Sequence, residues 1–277
     1  MKTVSLPGGD AVPVFGMGTW RMAENPARRA EEIATLRLGL NRGATLIDTA
    51  EMYGEGRAEQ LVGEAIVGHR DEVFLVSKVY PHNATRTGVP RACERSLERL
   101  GTDRIDLYLL HWRGSIPLQE TMDAFAALQR SGKIRHYGVS NFDLSDMEEL
   151  SASSSGRAAQ TDQLLYNLTR RGLEWDLLPW LRERHIPLMA YSPVEEGRLL
   201  RDTRLQKFAR ECERTPAQVA LAWLCAQREV LVIPKTGSRE RLLENLACLE
   251  RPLDRAELSE LDRLFPPPSA ATPLEMI

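Results

Sequence analysis

The chain has 277 residues, of which 43% are hydrophobic and 27% charged, and 36 Lys+Arg against 39 Asp+Glu leave a net charge of −3. That length suits one α/β barrel over residues 1–277, and the near balance of charge argues against a nucleic-acid surface or a polybasic membrane contact. No apolar run approaches the ~20 residues that span a bilayer, and Met1–Gly8 lacks a signal-peptide core, so the cytoplasm is the default location; a monomer is expected.

In chain order, residues 3–6 and 11–15 read as a hairpin around Pro7-Gly8-Gly9-Asp10, followed by a small-residue strand at 16–20. Helical patterns then lie near 28–42, 57–67, 90–100, 117–131, 144–151, 173–184, 203–213, 216–227, 239–248 and 255–265. Short apolar, β-branched runs separate them at 45–49, 73–78, 105–110, 136–140, 160–164, 187–191 and 230–233. Helix ends are marked. Asn25-Pro26 offers a cap followed by Pro at the first helical position, Thr215 with Gln218 and Asp254 with Glu257 form capping boxes, and Gly43, Gly101 and Gly132 follow helices directly. Ser151–Gly156 reads as a flexible loop, and Pro266-Pro267-Pro268 begins an irregular tail able to lie across the barrel.

The strands are continuous apolar runs rather than alternating ones, as strands covered on both faces should be. Eight β-then-α units make a (β/α)8 TIM barrel with an N-terminal β-hairpin and an extra C-terminal helix. A doubly wound sheet is the alternative, but Gly16-Met17-Gly18-Thr19-Trp20 lacks the third glycine of its fingerprint. Cys93, Cys212, Cys225 and Cys248 form no CxxC pair, which predicts reduced, packed thiols and no metal site.

In such barrels polar residues at the C-terminal strand ends carry chemistry. Asp48, Lys78 and His111 each end an apolar run, and Tyr53 lies five residues past Asp48 in a glycine-flanked loop. Lys78 leaves a buried strand and would seek an anion, for which Asp48 on the adjacent strand is the natural partner. A phenol beside that ammonium is expected to have a lowered pKa and to donate a proton to a carbonyl oxygen, which His111 could orient. Alone, each residue has a plainer use: Asp48 as a helix cap, Tyr53 as packing, Lys78 as a surface charge, His111 as a core histidine. The eighth strand adds Lys235-Thr236-Gly237-Ser238 opening a helix that holds Arg241, Glu244 and Asn245. Backbone N–H groups, hydroxyls, a Lys and an Arg at a helix N-terminus make an anion site.

The chain resembles the aldo-keto reductase superfamily along nearly its whole length. The motifs are Gly18-Thr19-Trp20, Leu46-Ile47-Asp48-Thr49-Ala50 with Tyr53, Val76-Ser77-Lys78, Asp106 through Trp112, Gly138 through Phe142, Gln163 with Tyr166-Asn167, Ala190 through Pro193, and Ile233 through Thr236. It looks most like small bacterial reductases of reactive aldehydes such as methylglyoxal. The resemblance implies Tyr53 as general acid, Lys78 as its partner, Asp48 as anchor and His111 as orienting donor. It implies that Ser140, Asn141 and Gln163 hold a nicotinamide carboxamide and that Tyr191, followed by Ser192 and Pro193, stacks on the ring. It also implies that the segment from Lys235 to Arg241 binds the 2′-phosphate of NADPH/NADP+, with Glu244 and Asn245 at the adenine. Trp20, Met52, Tyr80 and Trp112 are the expected pocket walls for a small carbonyl substrate.

Three features pull elsewhere. The segment Val194-Glu195-Glu196-Gly197-Arg198 departs from the family's Leu-Gly pattern and brings carboxylates toward the phosphates unless they point away, with Arg198 able to compensate. Binding subunits associated with channels share this fold, although they carry extra N-terminal segments. A Schiff-base aldolase using Lys78 is a third reading, one that leaves the Arg241 anion site and Tyr191 without a role.

Overall fold

The computed structural model describes residues 1–277 and follows the expected order of elements. An antiparallel hairpin comes first, β1 (Thr3–Ser5) with β2 (Ala11–Pro13). The parallel strands are β3 (Gly16–Gly18), β4 (Leu46–Asp48), β5 (Phe74–Val79), β6 (Ile105–Leu110), β7 (Ile134–Ser140), β8 (Asp162–Leu165), β9 (Leu188–Tyr191) and β10 (Val230–Val232). They pair in chain order, and bridges Phe15 to Val232 and Gly18 to Lys235 join the last strand to the first, which completes the (β/α)8 barrel. All six residues of β6 are buried, as a strand covered on both faces requires.

The hairpin covers the N-terminal end of the barrel. Val4, Leu6, Val12 and Val14 join the core, and Asp10 pairs with Arg135 at 2.9 Å and His136 at 2.7 Å, both near the start of β7. The opposite end is left to the loops.

The helices are α1 (Arg29–Asn41), α2 (Arg57–Ala65), α3 (Gly88–Leu100), α4 (Leu118–Arg130), α5 (Leu144–Ser151), α6 (Ser154–Arg157), α7 (Leu177–Glu183), α8 (Thr203–Glu211), α9 (Pro216–Ala226), α10 (Arg239–Leu246) and α11 (Arg255–Leu264). Both expected capping boxes form, at Thr215 with Gln218 and at Asp254 with Glu257. Gly101 ends α3 with φ of 62°, a left-handed position that a residue with a Cβ resists.

Several boundaries differ from expectation, each for a local reason. Residues 151–156 are not a loop throughout: α5 runs to Ser151, and the Ser153 hydroxyl accepts from the Gly156 N–H to start α6. The pattern at 173–184 divides into a 3-10 turn, Gly172–Glu174, and α7, because the Asp176 carboxylate accepts from the Leu177 N–H and restarts the helix there. The Asn25 cap opens a 3-10 turn, Pro26–Arg28, before α1. After α11 the chain to Ile277 has no regular structure and returns over the mouth, with Leu274 packed on the core and Glu275 paired to Arg170.

Candidate active site

Four side chains meet where β4, β5 and β6 end. Asp48 closes β4, Lys78 is the fifth residue of β5, and His111 is the first residue beyond β6. Tyr53 opens a tight turn in which Gly54 and Gly56 take φ of 56° and 87°, and this turns the chain back over the mouth. The Lys78 ammonium donates to Asp48 Oδ1 at 2.7 Å, Asp48 Oδ2 at 2.8 Å, the Thr49 carbonyl at 2.9 Å and the Tyr53 hydroxyl at 3.1 Å. Lys78 has no exposed surface and Asp48 is 2% exposed. A buried ion pair is tolerated only with such complete coordination. The same enclosure leaves the Lys78 nitrogen no open approach for a carbonyl carbon, which disfavours the Schiff-base reading. The His111 ring meets Tyr53 edge-on, with centroids 5.8 Å apart.

Electrostatics correct one expectation. The Tyr53 phenol is held well above its ordinary range, first by burial and then by the Asp48 carboxylate, rather than lowered. Burial also pulls the Lys78 ammonium down, against the upward pull of Asp48. The proton therefore stays on Tyr53 at rest, as a proton donor requires. The contact with Lys78 stabilises the phenolate only as it forms. Burial pushes the His111 imidazole down to about 2, with the Lys78 cation adding to it, so the ring is neutral. Its Nδ1 is buried without a hydrogen-bond partner.

Beside this group, the ends of β7, β8 and β9 bring the next set together. The Ser140 hydroxyl donates to the Gln163 carbonyl at 2.8 Å, and Asn141 Nδ2 donates to the His111 carbonyl at 3.1 Å. The Tyr191 hydroxyl donates to Asn141 Oδ1 at 2.8 Å, and Gln163 Nε2 donates to Asp48 Oδ1 at 2.8 Å. Two amides and two hydroxyls offer the mixture of donors and acceptors that a carboxamide needs. Ser192 takes φ of 49°, and its carbonyl accepts from Asn167, which fixes the turn into Pro193.

A third group surrounds the N-terminus of α10. Ser238 caps the helix by accepting from the Arg241 N–H. Thr236 accepts from the Ser238 N–H at 3.2 Å, and the Gly237 carbonyl accepts from Arg28 at 3.2 Å. A Cβ on Gly237 would lie 2.9 Å from Glu32, so this backbone is packed in place. Arg239 is taken by Glu31 at 3.0 Å, whereas Lys235 and Arg241 have no ion-pair partner. The Lys235 ammonium is lowered by its surroundings, with the Glu32 carboxylate pulling the other way. Glu244 and Asn245 lie half-buried on the same helix.

The two carboxylates that break the family pattern point away from this region or are neutralised. Glu195 is buried and accepts from Asn167 at 3.0 Å, Arg170 at 2.9 Å and Arg198 at 2.7 Å. Glu196 pairs with Arg21 across the mouth at 3.4 Å. Arg170, which also holds Glu275 of the tail, and Arg21, which lies over Trp20 at 4.3 Å, escape a reading of the sequence because charge on a loop carries no periodic signal. Of the expected walls, Tyr80 and Trp112 pack edge to face 5.7 Å apart, and His111 and Trp112 centroids are 4.9 Å apart. Trp20 is half-buried and Met52 is exposed at the rim.

A family model for the aldo/keto reductase family matches residues 14–265. The chain is similar to the methylglyoxal reductase YeaE of Escherichia coli (strain K12), at 46% identity over all of this chain and 99% of that one. It is 33% identical to the glyoxal reductase of Bacillus subtilis (strain 168), covering 95% of this chain and 92% of that one. A crystal structure of an aldo/keto reductase from Klebsiella pneumoniae in complex with NADP and acetate superposes with a TM-score of 0.96 at 48% identity, covering 100% of this chain and 99% of that chain.

Proposed function

The chain belongs to the aldo/keto reductase family, and from that premise we propose that it reduces small reactive aldehydes and dicarbonyls, methylglyoxal among them, with NADPH. The observation that carries the reading is the Tyr53 hydroxyl 3.1 Å from a wholly buried lysine that Asp48 anchors. Support for small carbonyls comes from the relatives, called methylglyoxal reductase and glyoxal reductase.

NADPH, when bound, supplies hydride to the carbonyl carbon. Ser140, Asn141 and Gln163 are the side chains to hold its carboxamide, and Tyr191 the ring to lie against the nicotinamide. Lys235, Thr236, Ser238 and Arg241 are suited to its 2′-phosphate, since two of them are cations without a carboxylate and the others crown a helix N-terminus. Glu244 and Asn245 lie on the side left for adenine.

The residues of the chain handle the proton. His111 Nε2–H donates to the substrate oxygen and fixes its direction, a job that needs the neutral ring. Tyr53 gives its proton to that oxygen as negative charge develops there. The Lys78 ammonium, already within hydrogen-bond reach, stabilises the tyrosinate that remains, and Asp48 keeps the ammonium from turning away. The wall of Tyr80, Trp112 and His111 excludes water from one side of the reacting carbonyl.

The test is Tyr53→Phe, with NADPH binding followed by fluorescence and turnover followed with methylglyoxal. Binding within about twofold of wild type and turnover reduced by about 10²-fold or more are expected for loss of a general acid. Unchanged turnover refutes the assignment.

A further inference from the structure

Between Asp48 and Tyr53 the chain carries Glu51, a buried carboxylate that none of the chemistry above uses. Its side chain is 6% exposed. It points away from the mouth and into the loop that follows β5. There Oε1 accepts from the Tyr80 N–H at 2.8 Å and from Asn83 Nδ2 at 3.0 Å, and Oε2 lies 3.5 Å from Arg95. The Glu51 N–H in turn donates to the Lys78 carbonyl at 3.3 Å.

The Tyr80 amide needs that acceptor. The sheet ends one residue earlier, where the Val79 carbonyl accepts from the His111 N–H at 3.1 Å, and beyond it no strand faces Tyr80. Glu51 takes the place of the missing strand, and its second bond to Asn83 pins the 3-10 turn Pro81–Asn83 that follows. Both bonds converge on one oxygen, and the Tyr80 carbonyl accepts in turn from the Asn83 N–H at 3.0 Å, so Glu51 and the turn together hold the backbone that carries the Tyr80 ring, with Glu51 the only acceptor for its N–H. That ring packs at 88° to Trp112 and with its centroid 6.5 Å from His111. An apolar residue at this position would leave the Tyr80 N–H and the Asn83 amide without their acceptor.

We propose that Glu51 is a positioning residue that fixes Tyr80 beside His111 and thereby sets how tightly the pocket holds an aromatic aldehyde, with little effect on a small one. The proposal rests on the reductase reading of the site. An aromatic aldehyde is long enough to stack on Tyr80 and Trp112, whereas methylglyoxal has little surface to lose when Tyr80 shifts.

The experiment compares kcat and KM for benzaldehyde and methylglyoxal, with NADPH, in wild type, Glu51→Ala, Glu51→Gln, Tyr80→Leu and the Glu51→Ala/Tyr80→Leu double variant. Glu51→Ala is expected to raise KM for benzaldehyde about tenfold while KM for methylglyoxal stays within about twofold, the scale of one aromatic contact. Glu51→Gln keeps an oxygen for Tyr80 and Asn83 and gives up only the pair with the half-exposed Arg95, so it should restore the benzaldehyde KM to within about threefold. Tyr80→Leu should reproduce the loss, and the double variant should lose no more than Tyr80→Leu alone. Equal changes for both aldehydes, absence of rescue by Gln, or additive losses in the double variant each overturn the proposal. If Glu51→Ala does not fold, Glu51→Gln and Tyr80→Leu decide alone: an unchanged benzaldehyde KM in Tyr80→Leu overturns it. Wild type that oxidises NADPH with neither aldehyde refutes the reductase reading itself, and the role of Glu51 falls with it.

Discussion

Replacing Lys78 by Met keeps the volume of a side chain that has no exposed surface and removes only its charge. Asp48 then loses both short bonds, 2.7 and 2.8 Å, and retains one donor, Gln163 Nε2 at 2.8 Å. Breaking a buried pair from one side costs about 3–5 kcal/mol, because the survivor is left charged and desolvated. For a domain of this size that lowers Tm by roughly 10 °C, at about 2–4 °C per kcal/mol. Asp48→Asn strands the ammonium instead and should cost a similar amount. The double variant Lys78→Met/Asp48→Asn leaves no charge behind, so it should be more stable than either single variant. Turnover must behave differently. Every variant without Lys78 lacks the cation at the Tyr53 hydroxyl, so the double variant should stay as impaired as Lys78→Met, by about 10²–10⁴-fold. Thermal unfolding by circular dichroism and NADPH oxidation with methylglyoxal measure the two quantities on the same samples. Stability losses that simply add in the double variant, or turnover that returns with its stability, would refute the account of the pair.

His111 gives a pH dependence of stability with a definite sign. Its folded value, about 2, lies below the ordinary 6.5, so between these the unfolded chain binds a proton that the folded chain refuses. Stability from this residue is full above about pH 6.5 and falls by about 1.4 kcal/mol per pH unit below it. His111→Asn should flatten that slope in urea titrations at pH 5 and 6, and an identical slope would show that the ring takes up its proton when folded. At the N-terminus of α10, Arg241→Ala should weaken NADPH by about 10–100-fold, the worth of one charge-assisted contact, and leave NADH unchanged. Equal losses for both cofactors in a fluorescence titration would remove Arg241 from the phosphate site.

Much of this was legible in the sequence for a simple reason. Buried parallel strands must be apolar, so a polar residue that ends one is conspicuous, and Asp48, Lys78 and His111 stand out in this way. Capping boxes at Thr215 and Asp254 are equally local, since donor and acceptor lie three residues apart. The boundary at α7 was missed because Asp176 restarts a helix whose apolar pattern does not break there.

The order of strands, their closure into a barrel and the identity of the four residues at its mouth follow from periodicity and residue type, which the sequence carries within short windows. The direction of the Tyr53 shift does not, because desolvation depends on everything packed around the phenol, and the Asp48 carboxylate adds to it. The same holds for Glu195, turned inward by Arg170 and Arg198, and for Glu51, whose partner Tyr80 lies 29 residues away. Contacts between loops depend on where the closed barrel puts their ends, and only the tertiary structure decides that.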